Sequence, residues 1–320
     1  MQKIIEKLAI PKVILRYIMM NFTDAETIKY LILNVNIMNV LDNYSKDILE
    51  KARHGFQWNC KKGNIIVAQW LYSGGKVNIH ADNEYAFSES CGRGHLIVAK
   101  WLYSLGGVNI HVFDEAAFAW SCSRGHLDVA QWLYSLGNVD IHADNELAFR
   151  WSCRDGHLTV AKWLYSLGGI NIHACDEFAF KQSCQAGHLA VAKWLYSLDR
   201  VDIHAGGENA FRESCCRGHL IVAKWLYCLG GVDIHVFDEY AFKQSCEAGH
   251  LTVAKWLYSL GRIDIHSCDE SAFRKSCSNG HLAVAKWLYS LGRVNIHACN
   301  ENAFRWSKGK ILNWLNTIKN

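Results

Sequence analysis

The chain has 320 residues, 50% of them hydrophobic and 20% charged, with a formal net charge of +4. That is ample apolar content for a folded protein and too little charge to mark a nucleic-acid binder. Thirteen cysteines in a chain of this length do not describe a small secreted disulfide scaffold.

Residues 1–48 stand apart from the rest of the chain. Ile4, Ile5 and Leu8, then Ile14, Leu15, Ile18 and Met19, follow helical spacing, and Thr23 or Asp24 can start a second helix. Lys12 and Arg16 interrupt the apolar run of residues 10–20 and no small-residue cleavage site comes after it, so no secretory signal is expected. No window reaches the roughly 18 apolar residues of a membrane span. The expectation is a soluble, intracellular, cytoplasmic protein, a reducing compartment that suits many free thiols.

From about Leu49 the sequence repeats every 31 residues. An Ile-His pair ends each unit at His80, His111, His142, His173, His204, His235, His266 and His297, without a slip in spacing. Self-similarity at such a period marks a solenoid, whose units pack on their neighbours and share one long core. Eight full units and the start of a ninth span residues 49–307, and residues 308–320 read as a C-terminal cap.

Two helices are predicted per unit. Asn83, Asp114, Asn145, Asp176, Gly207, Asp238, Asp269 and Asn300 each precede a constant Glu, and all belong to the helix N-cap set. Helix A is placed there, with the Glu at the positive end of the macrodipole. It closes at Gly94 and its equivalents, glycine being the residue that adopts the left-handed C-cap conformation most readily. Helix B (HLIVAKWLYSL) is apolar nearly all round and needs cover on several sides. It stops at Gly106 and its equivalents, except at Asp199, where a locally weaker unit is expected. The fold class is all-α, a helix-turn-helix solenoid with short loops.

Two antiparallel helices joined by Gly-His-Leu resemble ankyrin repeats. GHLxVAKWLYSLG is similar to the family's GH-L-x-I-V-x-x-L-L segment, and AFxxSC stands where the family has P-L-H-x-A-A. The 31-residue period is shorter than the family's 33 or so, which predicts tight loops in place of β-hairpin fingers. The short finger also looks like that of the expanded ankyrin families of giant DNA viruses. The resemblance implies an intracellular protein-binding scaffold, in the host cell cytoplasm if viral. Over about twenty residues, Ile10-Pro11, Ile14, Ile18, Phe22 and Ile28 resemble an F-box. That would imply docking on a Skp1-type subunit and recruitment of targets to a ubiquitin ligase; the alternative is a helical cap over the first unit.

The Cys-x3-His pattern, Cys91 with His95 through Cys277 with His281, tempts a metal reading. A structural zinc needs about four ligands at about 2.0–2.3 Å, whereas the next unit's pair should lie about 10 Å away. A core thiol and a histidine bonded to the inter-helix loop are expected instead, and a loop hydrogen bond for the His80 row. No metal, no cofactor and no catalysis are expected, because a catalytic site needs one unit to be special.

What does vary between copies is one stripe of helix A. Positions 85, 88, 89 and 92 and their equivalents share a face, while Ala86, Phe87, Ser90 and Cys91 form the core side. The stripe is expected to face outward along a concave side, with Tyr85, Trp120, Arg124, Arg150, Trp151, Arg154, Phe178, Lys181, Arg212, Tyr240, Lys243, Arg274 and Lys275 as partner-binding residues. Trp, Tyr and Arg are the residue types that dominate interface hot spots. The expected partner is a protein with an acidic and apolar patch, held by a monomeric array. Alternatively, these side chains pack sideways on the next helix A and pair with Glu89, Asp155, Glu213 and Glu247. Nucleic acid is a third class, against which the mild net charge argues.

Overall fold

The structure, a computed structural model, describes residues 46–319 apart from 74, 76, 199 and 200. The F-box-like stretch at residues 10–31 and Asp199, where a weaker unit is expected, lie outside the described residues. Eighteen helices and no strand lie within them. The odd-numbered helices are the A helices: α1 Lys46–Lys61, α3 Ala81–Gly92, α5 Val112–Ser123, α7 Ala143–Arg154, α9 Ala174–Gln185, α11 Ala205–Cys216, α13 Val236–Glu247, α15 Ser267–Ser278 and α17 Ala298–Trp306. The even-numbered ones are the B helices: α2 Ile65–Ser73, α4 Leu96–Ser104, α6 Leu127–Ser135, α8 Leu158–Ser166, α10 Leu189–Leu198, α12 Leu220–Leu229, α14 Leu251–Ser259, α16 Leu282–Ser290 and α18 Gly309–Ile318. The chain falls into two compact units, one ending at Phe149 with Lys162–Ser166 added, the other made of Arg150–Ala161 and everything from Leu167 onward.

In both compact units the same packing recurs. The A helices α1 to α15 bury their Phe and Cys completely, as Phe87 and Cys91 do in α3, and the B helices α4 to α16 bury Val, Ala and Leu, as Val98, Ala99 and Leu102 do in α4. The helix B Trp is shared between repeats. Trp132 meets the previous repeat's Phe87 at 6.2 Å and Tyr103 at 5.9 Å, and in the second compact unit Trp256 meets Phe211 and Tyr227 at 6.1 and 5.9 Å. Such tilted and edge-on pairs contribute about 0.5–1.5 kcal/mol beyond the area they bury. At the C-terminal end Trp314 makes the same contacts, 6.3 Å to Phe273 and 5.8 Å to Tyr289, so α18 stands in as the helix B of a shortened last repeat.

Helix A does not begin as its sequence suggests. Asp82, Asn83 and Glu84 have φ of 55, 54 and 60°, and the three equivalent residues are left-handed in every later copy, down to Cys299, Asn300 and Glu301. The right-handed coil starts only after the Glu. Asn, Asp and Gly tolerate the left-handed region as well as serving as N-caps. Ser and Thr, equally good caps, never occupy the position, which marks a left-handed turn rather than a cap.

That turn carries the Glu inward, where only 6% of Glu84 is exposed. Its Oε1 accepts a hydrogen bond from Nδ1 of His80 at 2.8 Å and another from the backbone N–H of Asn109 in the next repeat at 3.4 Å. In the second compact unit Glu239 does the same with His235 at 2.8 Å and Asp264 at 3.3 Å. The Glu is therefore an inter-repeat clasp rather than a surface partner of the macrodipole, and the His80 row is one arm of it.

The glycine between the helices has a separate reason to be constant. Gly94 sits at φ 78°, and a Cβ there would meet Nδ1 of the next repeat's His126 at 2.5 Å. The bare glycine lets the histidine ring lie flat on the preceding loop. His95, one repeat earlier, bonds that loop through Nε2 to the carbonyl oxygen of Lys61 at 3.1 Å.

Candidate protein-binding surface

All thirteen cysteines are free thiols. Burial pushes the core row up, to about 12 for Cys60 and Cys277, so these thiols are inert fillers. No cluster of three or more metal-ligating side chains occurs among the described residues, and no described helix is long and apolar enough to cross a membrane.

The stripe of helix A is less open than its spacing suggests. Arg150 is only 8% exposed, and Ser88 and Glu89 are buried as well. Adjacent A helices lie close enough for a side chain of one to reach the next, so a face that looks outward on an isolated helix is half covered in the stack. In the first compact unit, Lys61 lies 5.7 Å from the Tyr85 ring and pairs with Glu89 at 3.3 Å. Arg124 stands over the half-buried Trp120 at 5.9 Å and donates to the carbonyl oxygen of Gly92 at 2.9 Å. A side chain at Gly92 would strike Trp120 and Arg124, which explains the glycine.

In the second compact unit, Arg150 lies over Phe178 at 5.0 Å. Arg154 lies over Trp151 at 4.8 Å and forks onto Asp155 at 2.8 and 2.9 Å. Lys181 pairs with Asp176 at 2.6 Å, and Lys275 with Glu247 at 2.7 Å. Arg212 lies over both Phe237 and Tyr240, at 4.7 and 5.0 Å. Lys243 donates to the thiol of Cys268 at 3.0 Å. Arg274 donates to the carbonyl oxygens of Asp269 and Cys268 at 2.5 and 3.0 Å. The sideways packing and acid pairing expected as the alternative thus occur at many positions, and they pre-order the stripe's cations and rings.

Several large groups stay in the open. Phe113 and Phe237 at the left-handed turns are 67% and 60% exposed, and Trp306 is 65% exposed. Arg124 and Lys275 are exposed on the stripe itself. Beside Arg154 the second compact unit has an open depression of about 520 Å³, lined by Asp155, Gln182, Gln185, Ala186, His188, Arg217 and His219. Gln182 and Gln185 had no signal in the sequence, because an isolated glutamine on a variable stripe resembles any solvated side chain.

Residues 239–289, covering most of α13 through most of α16, match a family model described as ankyrin repeats in many copies. No curated protein matches the chain. The match and the recurring helix pair together support an ankyrin repeat protein, and the all-helical helix-turn-helix arrangement is that of the ankyrin type. Ankyrin repeats are in general protein–protein interaction modules, and their fold is typically a scaffold without catalysis.

Proposed function

We propose that the array is a non-catalytic scaffold that holds a protein partner against the helix A stripe. The supporting observation is a contrast within the repeat: Phe, Cys, Gly-His and Trp recur and are buried or shared between repeats, while the letters that change include the ring and cation clusters of the stripe. Clusters already ordered by their own contacts lose little side-chain entropy on binding, and rigid aromatic and Arg anchors are what interfaces use. The partner suited to them offers carboxylates to exposed cations such as Arg124 and apolar groups to the rings. The short finger extends the proposal to a viral protein acting in a host cell's cytoplasm. A target-recruiting adaptor role, with residues 10–31 as an F-box-like docking module, would use the same stripe to hold its target.

Affinity purification with mass spectrometry tests the proposal, comparing wild type with a Trp120→Ala/Arg124→Ala/Trp151→Ala variant of unchanged helical content. Partners enriched by wild type and lost by the variant are expected. Identical partner sets would overturn it.

A further inference from the structure

The solvent face of the B helices in the second compact unit repeats one pattern. Lys193, Lys224, Lys255 and Lys286 stand at the same register of α10, α12, α14 and α16, and all four are exposed. Their helices contain no Asp or Glu, and none of the four ammonium groups pairs with an acid among the described residues. A lysine stem can cover the next repeat's Trp, as Lys100 does in the first compact unit with its ammonium 5.9 Å from the Trp132 ring. That packing does not require the charge, since Gln69 and Gln131 occupy the same register there.

The position three residues before each lysine is exposed as well and changes freely, reading Ala190, Ile221, Thr252 and Ala283, whereas the lysine is the same in all four helices. One turn past the lysines, Tyr196, Tyr227, Tyr258 and Tyr289 share their helix face and are 36–41% exposed. Each tyrosine lies edge-on to the Trp of the following helix at 5.8–5.9 Å, which gives successive helices a single offset. Packed helices lie about 10 Å apart, so the face presents lysine–tyrosine rungs at intervals of about 10 Å.

Identical rungs suit a ligand that is itself periodic. A polypeptide in the polyproline II conformation turns once every three residues and rises about 3.1 Å per residue, so every third side chain returns to one face after about 9.3 Å. We propose that this face docks an extended acidic segment of a protein partner, with a carboxylate at every third residue opposite a lysine and prolines between them against the tyrosines. Proline-rich segments dock on exposed aromatic side chains because they are already extended and lose little entropy, and the lysines select the acidic ones among them. A nucleic-acid backbone offers the negative charge but nothing apolar to the tyrosines. The face belongs to the B helices, so it adds a second surface to the helix A stripe and does not rest on it.

The test is fluorescence anisotropy of the full chain with labelled acetyl-(Glu-Pro-Pro)4-amide and with an isomer of the same composition, acetyl-(Glu-Glu-Pro-Pro-Pro-Pro)2-amide. The isomer keeps two of its four acids in register. With each exposed ion pair contributing a factor of roughly two to three, it is expected to bind about fivefold more weakly than the evenly spaced peptide. Lys193→Gln/Lys224→Gln/Lys255→Gln/Lys286→Gln, of unchanged helical content, is expected to lose about thirtyfold for the even peptide and to bind both peptides alike. Equal binding of the isomers by wild type, or an affinity for the even peptide that survives in the variant, would overturn the docking face. So would a duplex oligonucleotide or a phosphatidylserine vesicle that binds wild type more tightly than the peptide and is released by the same substitutions. The isomer comparison needs wild type alone, and Trp120, Arg124 and Trp151 are untouched throughout, so this face and the stripe stand or fall separately.

Discussion

Asp114 separates the two readings of the turn before helix A. It is exposed, it lies at φ 51° and ψ 58°, and Gly207 holds the equivalent place in another repeat. If Asp114 were an N-cap, Ser would replace it at almost no loss and Gly would lose a few tenths of a kcal/mol. In a left-handed turn, Ser carries the Cβ strain of about 1–2 kcal/mol, whereas Gly has none and gives back about 0.4–1 kcal/mol through the freer unfolded chain. Both substitutions remove the same charge near the helix start, so the difference between them cancels the macrodipole contribution. Asp114→Gly should therefore be more stable than Asp114→Ser by about 1 kcal/mol. Urea unfolding followed by circular dichroism measures this, with the comparison restricted to variants of equal slope because arrays of repeats depart from two-state behaviour. A serine variant as stable as wild type and more stable than the glycine variant would refute the left-handed turn.

Burial holds His95, His188, His219 and His250 below the usual histidine range. The unfolded chain then binds more protons on acidification, so this stability is complete above a pH of about 6.5 and is lost as pH falls. Thermal melts at pH 7.5 and 5.5 should show the lower midpoint at pH 5.5, and equal midpoints would count against it. Gly187→Ala combines a φ of 82° with a Cβ 2.5 Å from Nδ1 of His219, whereas Gly168→Ala has the positive φ and nothing within 4 Å. The first should therefore lose clearly more stability than the roughly 1–2 kcal/mol of left-handed strain expected for the second. Comparable losses in the two denaturation curves would remove the glycine–histidine contact as the reason for the constant Gly-His. The hydrogen bond from Lys243, with that from Ser267, lowers the exposed Cys268 thiol below the ordinary range. Native alkylation mapped by mass spectrometry should reach Cys268 before Cys175 and Cys299 and slow in Lys243→Met; no change in that variant would dismiss the pairing.

Much of the fold is legible because stacking repeats the same physical demand in every copy. A Phe, a Cys and a Gly that return at one register are a core ring, a core filler and a left-handed closure, and Phe87, Cys91 and Gly94 occupy those places. The start of helix A misleads because Asn, Asp and Gly answer two demands at once, capping and left-handed tolerance. The absence of Ser and Thr was the discriminating signal. Glu84 misleads for a related reason: its neighbours along the chain place it at a helix end, and only the fold shows that the N–H of Asn109 comes to meet it.

The surface was harder to read, because helical spacing says which residues share a face and nothing about what stands opposite that face. Arg150 and Phe178 belong to different helices, and their contact depends on how far one repeat is offset from the next. That offset is visible once and then applies throughout: the cation of one helix A faces the turn and the first helical residue of the following repeat. With it, the sequence becomes readable across repeats as well as along them. Phe237 and Tyr240 fill the place beside Arg212, as Phe178 fills the place beside Arg150. The variable letters are thus of two kinds, those that pack on a neighbouring repeat and those such as Phe113 and Trp306 that stay exposed, and it is the second kind that a partner has reason to bind.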